Sequence, residues 1–353
     1  MTAGGRFPGH DLPRRCPEGP WSGAPRAGDG STTCSTLLGG RYLRELGREG
    51  QGPGDFRSLG ALGWQGDSLW VVDPEQSRVT WYHRGVDLIR VERVEPIQLP
   101  APFYSATLRW VFSDGSFAME PQLRAEALGT PDAERIPIVR VNPGDEGAEQ
   151  RVMIRHRGGS QIPLGLGGMM GSARIAQIFR GDTNLFAYHP DGTSVVLVDR
   201  PFAATEGLAS FRVSVIGVLG DTIRTAEISY TPIQLDPQVA EGMVETEVGA
   251  LVPEVAHLAS DVRETLTPPP AFYPPVTAVG VGHDGRVWLR REFLPDRDTR
   301  AWLVLDQGLN PIGATLLPGA VEFRAADDQA LWGFVEGDLG VPYLVRYRIQ
   351  EDR

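Results

Sequence analysis

Lysine is missing from this chain. All 34 basic side chains among its 353 residues are arginine. There is therefore no lysine to form a Schiff base and none to complete a phosphate-binding loop. Cysteine is almost as scarce, with Cys16 and Cys34 the two present. They could pair in an oxidising compartment, but two thiols are no disulfide framework. Asparagine occurs three times, at Asn142, Asn184 and Asn310. No window approaches the roughly 20 apolar residues of a membrane-spanning helix. The N-terminus lacks the apolar core of a signal peptide. Basic charge is also in deficit, at a net −11. Affinity for nucleic acid comes mostly from neutralising phosphates, so no nucleic-acid partner is expected.

The common catalytic signatures are absent too. No G-x-S-x-G elbow, HExxH or CxxC occurs. The histidines, His10, His83, His156, His189, His257 and His283, show no metal-ligand spacing. Turn or surface positions are expected for them. Gly165-Leu166-Gly167-Gly168-Met169-Met170-Gly171 almost spells a dinucleotide fingerprint, but it misses the last glycine position and lies among strands.

What the chain does have is hydrophobic residues at 41%, 43 glycines and 29 prolines, the last two spread along its length. That suits many short strands joined by turns. From Leu37 onward a unit repeats, in which an Asp/Gly turn precedes a short apolar strand with an aromatic. The copies begin at Gly66-Asp67, Asp114-Gly115, Gly181-Asp182, Asp284-Gly285 and Asp328. Glycine and aspartate tolerate the backbone of such turns, and the aromatics pack between neighbouring sheets. Repetition every ~40–50 residues marks a β-propeller, a ring of four-stranded blades. Phe103-Tyr104 and Phe272-Tyr273 stand at matching places before the strands expected at 107–112 and 277–281.

One stretch breaks the pattern. Over 237–266, Val244, Val248, Leu251, Val255, Leu258, Val262 and Leu266 recur every three or four residues, which is helical spacing. Pro253 divides it into two short helices. Glu241, Glu245, Glu247, Glu254, Asp261 and Glu264 fall on the polar side. Residues 1–36, rich in Gly, Pro and Arg at their start, read as a disordered or spurious segment, and 37–353 as the propeller.

The run Gly47-Arg48-Glu49-Gly50-Gln51-Gly52-Pro53-Gly54-Asp55-Phe56 adds a family likeness. With Leu69-Trp70-Val71-Val72-Asp73 and Ser77-Arg78-Val79, it resembles the NHL-repeat or TolB-like six-bladed β-propellers of bacteria, whose function is largely unknown. The likeness extends over about 37–349. It implies an all-β, six-bladed β-propeller with a short helical insertion and an extracytoplasmic, periplasmic or secreted, setting. Such proteins carry a whole blade before the glycine-rich run. Here either the first blade is incomplete or Arg41–Leu46 supplies the outer strand that closes the last one. Asp73 and Arg78 would form a salt bridge fixing a hairpin.

The candidate binding residues are Arg48, Asp55, Tyr104 and Tyr273, all expected in loops that gather on one face with the helical insert. The leading functional expectation is a non-enzymatic binding or scaffold propeller for a protein, peptide or glycan ligand, monomeric and without a cofactor. The alternative is a calcium-dependent hydrolase or lyase acting at the central channel, since some six-bladed relatives are of that kind. Its metal would need Asp, Glu and backbone carbonyls, because so few asparagines are present.

Overall fold

The computed structural model describes residues 23–25, 34–38, 41–84, 87–95, 97, 99, 103–123, 135–143, 149–158, 160–166, 169–175, 181, 183–203, 206–251, 253–291, 299–337 and 342–350. Three short strands come first: β1 (Gly23–Pro25), β2 (Cys34–Leu38) and β3 (Arg41–Leu46), joined in that order. Arg41–Leu46 pairs with Cys34–Leu38. It is not the outer strand of the last blade.

The blades follow as antiparallel meanders. Blade 1 is β4 (Leu62–Gln65), β5 (Ser68–Asp73), β6 (Arg78–His83) and β7 (Asp87–Arg93). Blade 2 is β8 (Phe103–Val111), β9 (Phe117–Leu123), β10 (Arg135–Val141) and β11 (Gln150–Arg157). A separate hairpin, β12 (Ser160–Leu166) and β13 (Met169–Ile175), intervenes. Blade 3 is β14 (Leu185–Tyr188), β15 (Ser194–Asp199), β16 (Ala209–Gly217) and β17 (Thr222–Tyr230). Blade 4 is β18 (Ala278–Val281), β19 (Val287–Arg291), β20 (Thr299–Leu305) and β21 (Pro311–Pro318). Blade 5 is β22 (Glu322–Ala326), β23 (Ala330–Glu336) and β24 (Pro342–Arg348).

The described residues thus form five blades, and the expected six is corrected. The repeat itself gave five turn copies, and only the family likeness implied a sixth blade. One copy also shifts. Gly181-Asp182 precedes β14, the first strand of its sheet. The turn equivalent to the other four is 189–193, between β14 and β15. Gly165 and Leu166 lie on β12 and Met169 to Gly171 on β13, with Leu166 opposite Met169, so the described part of this run has no strand–loop–helix setting for a nucleotide; Gly167 and Gly168 lie outside the described residues.

The cores lie between blades. Trp70, Val72 and Trp81 of blade 1 pack on Leu108, Phe117 and Met119 of blade 2. Val196, Phe211 and Val213 of blade 3 meet Val281, Val287 and Leu289 of blade 4. Trp288 and Trp302 of blade 4 meet Ala326 and Leu331 of blade 5. Each of the five blades buries apolar side chains on a neighbouring blade, as the repeated strand-plus-aromatic unit requires.

Between blades 3 and 4 the chain leaves the ring as two helices, α1 (Pro237–Gly249) and α2 (Ala259–Leu266), linked through a 3-10 turn at Pro253–Leu258. Asp236 caps α1 by accepting a hydrogen bond from Gln238 N at 2.8 Å. Val244, Leu258, Val262 and Leu266 form a small core of the insert's own. Its two ends are tied together: Leu235 N donates to Ala271 O and Tyr273 N to Ile233 O, each at 2.9 Å.

Candidate functional site

An up-and-down blade gives the ring two distinct ends. The loops that lead into β4, β8, β14, β18 and β22 lie at one, the loop end. The turns that leave those strands lie at the other, the turn end.

At the loop end, the run 47–56 folds back on itself. Phe56 N donates to Arg48 O at 2.8 Å and Gly50 N to Phe56 O at 3.1 Å. Gly47 has φ +73°, and a Cβ there would fall 2.3 Å from Gly54 O, so glycine is required. Arg48 Nε donates to Asp55 Oδ1 at 3.2 Å, with the arginine side chain 81% exposed and the aspartate 16%. Of the four predicted site residues, these two are brought together. Tyr104 lies within β8 rather than in a loop before it, and is 59% exposed. Tyr273 is buried at 5%, packed with Leu235 and Ala240 at the foot of the helical insert. Pro102, next to Tyr104's neighbour Phe103, lies outside the described residues. α2 lies beside β12, so the insert and the β12–β13 hairpin share this end. Glu241, Glu245, Glu247, Asp261 and Glu264 are exposed there, with Arg263 paired to Glu245.

The turn end is built differently. Four of its aspartates each close their own turn. Asp114 Oδ1 accepts from Ser116 N at 3.0 Å and Asp191 Oδ1 from Thr193 N at 2.9 Å. Asp284 Oδ1 accepts from Arg286 N at 3.1 Å and Asp327 Oδ1 from Gln329 N at 2.8 Å. The short aspartate side chain replaces a backbone acceptor, which is why Asp recurs at this place in the repeat. The turns also hold one another. Gln65 Nε2 donates to Ser113 O at 2.5 Å. Ser113 N donates to Gly192 O at 3.0 Å, and His283 N to Ala326 O at 2.7 Å. Gly192, at φ +73°, could not carry a Cβ, which would come 2.6 Å from Ser113 N.

Between the turns of blades 4 and 5 lies a depression of about 440 Å³, lined by Asp284, Arg286, Asp306, Gln307, Gly308 and Asp328. Arg286 Nε is 3.3 Å from Asp284 Oδ2. Asp306 accepts from Asn310 N at 2.8 Å, and that bond holds its carboxyl below the usual carboxylate range. Gln307 Nε2 donates to Asp284 O at 2.8 Å. Three carboxylates line the depression beside Arg286, and Arg224 donates to Gln307 O at its edge and helps hold the Asp306 carboxyl low, so the charges there are three negative against two positive.

A third polar group was not foreseen. Glu120 on β9 is buried, and Arg109 Nε and Nη2 of β8 each lie 2.7 Å from its Oε2. His156 of β11, buried at 4%, places Nε2 3.7 Å from Glu120 Oε1. The expected turn or surface position is therefore wrong for His156. Tyr188 of blade 3 stacks on Trp110 at 5.0 Å, and its hydroxyl is buried without a hydrogen-bond partner among the described residues. Burial, then the Glu120 charge, pushes its phenol well above the ordinary value. The one available signal was an isolated glutamate in an apolar strand.

Asp73 and Arg78 are structural. Asp73 accepts from Arg57 N at 2.8 Å and from Gln76 Nε2 at 2.6 Å. Among the described residues, no group of three or more His, Cys, Asp or Glu is placed to hold a metal ion. No described helix is long and apolar enough to cross a membrane.

No family model and no curated protein matches the chain. Solved structures do. A DUF4221-family member from Bacteroides vulgatus aligns at TM-score 0.41 and 9% identity, over 90% of this chain and 86% of that one. The β-propeller domain of Cps50 (Swd1) from Myceliophteria thermophila aligns at 0.31 and 11%, over 91% and 80%. Regucalcin from Agrobacterium tumefaciens, a calcium-binding protein, aligns at 0.28 and 10%, over 81% and 89%. The chain is similar to these in being a β-propeller.

Proposed function

We propose that the protein is a non-enzymatic binding propeller that takes a cationic segment of a protein or peptide partner at its turn end. The observation that carries this reading is the 440 Å³ depression at the seam of blades 4 and 5. Its volume is in the range of small-ligand sites. Its carboxylates suit an arginine or lysine side chain, while Arg286 and Gln307 supply donors for the carbonyl groups beside it. The acidic chain adds long-range attraction for such a partner. An extracytoplasmic setting is proposed with it, on the likeness of the 47–56 run to exported propellers. Metal-dependent hydrolysis at the channel is not favoured, because no metal-holding group stands among the described residues.

The test is a fluorescence-anisotropy titration with a labelled arginine-rich octapeptide at moderate salt. Binding should weaken about tenfold in Asp328→Arg and be little changed by removal of the helical insert. Equal binding by Asp328→Arg and the parent would end this reading. Hydrolysis of lactones or esters by the purified protein in a calcium-dependent way would restore the enzymatic alternative.

A further inference from the structure

A propeller blade ends outward in a strand with no neighbour on its far side. Such an edge offers unpaired backbone N–H and C=O groups to another strand unless charge, proline or a bulge blunts it. Lysine, the usual guard, is missing from this chain, so arginine has to serve. It does so on β7 (Arg90, Arg93), β11 (Arg151, Arg155, Arg157), β17 (Arg224) and β24 (Arg346, Arg348). β21, the outer strand of blade 4, carries no charged residue. Among the described residues it pairs with β20 alone. Ile312 and Leu316 on it are each 50% exposed, and Gly313 and Ala314 between them are exposed too. Leu88 and Ile89 of β7 and Ile223 of β17 are also exposed. They stand beside ion pairs, however: Arg90 with Glu92 at 3.2 Å, and Arg212 with Glu227 at 2.7 Å.

We propose that β21 is a self-association surface, to which a second copy of this chain adds its own β21 antiparallel about a two-fold axis. The ladder with β20 runs without a shift from Pro318 to Gly313, so this part of the edge is regular. Pro311 and Pro318 bound it, because neither can donate a backbone hydrogen bond. Within these bounds the sequence fits itself. An axis through Thr315 sets Ala314 opposite Leu316 of the second copy, and Gly313 opposite Leu317 of the second copy. Each large side chain meets a small one. The two Thr315 side chains meet at the axis, a favourable cross-strand pair. Ala314 and Leu316 stand opposite Leu303 and Ala301 of β20, so both point to one side of the sheet. Leu317, on the other side, is already buried with Trp288 and Trp302. The two copies of blade 4 then join in one sheet of eight strands.

Charge selects the occupant. A strand such as β7 or β24 would bring an arginine against Leu316 and strip part of its hydration. A second β21 brings no charge to desolvate. The contact is isologous, so it closes at two copies instead of growing into a fibre. Five paired residues a side fall short of the ~1,200 Å² total of a stable interface. The dimer is therefore weak, with a dissociation constant on the order of 10⁻⁵–10⁻³ M. Two chains of net charge −11 repel at a distance, so salt tightens the contact by screening. This inference does not rest on the reading of the depression, and it departs from the single-chain state expected from the sequence.

The experiment is sedimentation velocity on the full chain from about 10 µM to about 500 µM, at about 0.05 M and about 0.5 M salt. The parent should shift toward twice the chain mass as concentration rises, with association about threefold tighter in the higher salt. Ala314→Arg/Leu316→Arg and Ala314→Glu/Leu316→Glu each set like charges across the axis at exposed positions. Each alone should associate about tenfold more weakly or worse, with an unchanged urea midpoint. An equimolar mixture of the two should associate again, because arginine then faces glutamate; misfolding would not be rescued in this way. A second measurement needs no substitution: hydrogen exchange over 311–318 should slow as the parent is concentrated. A parent that stays monomeric at about 500 µM overturns the inference. So does association that both charged variants retain, a mixture that fails to associate, or exchange over 311–318 that ignores concentration.

Discussion

Asp73 and Arg78 face each other across the β5–β6 hairpin, and both reach beyond it to the 47–58 stretch. They are directly opposed in the ladder, with Arg78 Nε 3.8 Å from Asp73 Oδ2 and both side chains buried. Asp73 accepts from Arg57 N, Ser58 N, Gln76 N and Gln76 Nε2. Arg78 donates to Gln51 O and Asp55 O. The pair therefore fastens the glycine-rich run to blade 1. A buried ion pair is expensive to half-remove, since the surviving charge loses its partner. Asp73→Ala should destabilise the protein by about 3–5 kcal/mol, read as a lower urea midpoint.

Tyr188 predicts the opposite sign. Its hydroxyl is buried with no partner among the described residues, so removing that oxygen removes a desolvated polar group and leaves the stacked ring in place. Tyr188→Phe should be neutral or stabilising by up to about 1 kcal/mol. Thermal unfolding checks it, and a large loss of stability would mean that the hydroxyl is satisfied after all. In the parent, ultraviolet titration should find that Tyr188, like Tyr230 and Tyr347, resists ionisation above pH 10, the sign expected when burial, and for Tyr188 a neighbouring Glu120 carboxylate too, disfavours phenolate.

The helical insert should be removable. Its ends are bonded to each other at 233–235 and 271–273, and its apolar residues form their own cluster. Replacing 237–266 by a short glycine linker should leave a propeller with native near-ultraviolet dichroism, losing only the contacts beneath Tyr273 and those of α2 with β12. Loss of cooperative unfolding would show instead that the insert belongs to the main core.

Gly192→Ala tests the interlocked turns. The substitution meets both a positive φ and a Cβ position 2.6 Å from Ser113 N. A cost of about 1–3 kcal/mol is expected, with faster amide exchange at Ser113, whose N–H donates to Gly192 O.

Much of the fold was legible in the sequence because its signals are local. An Asp or Gly at a tight turn, an aromatic in the strand after it and valines at three- and four-residue steps all report backbone geometry within a few residues. They mark the repeated blades and place both helices. The same locality explains the misassigned third turn, since Gly181-Asp182 carries the turn composition that 189–193 actually uses. The count of blades, five among the described residues, required the ladder itself.

The site was much less legible. Arg48 and Asp55 meet because the glycines between them allow the loop to fold back, which spacing could suggest. Tyr273 looks like Tyr104 in sequence, yet one is buried under the insert and the other is exposed on β8. The depression joins Asp284, Arg286, Asp306 and Asp328 from two blades, and His189 approaches Gly285 from a third. The sequence by itself determined the strand-and-turn units, the helical insert and the absence of lysine chemistry. Only the tertiary structure decided which turns became neighbours, because packing one blade on the next brings together residues that no periodicity relates.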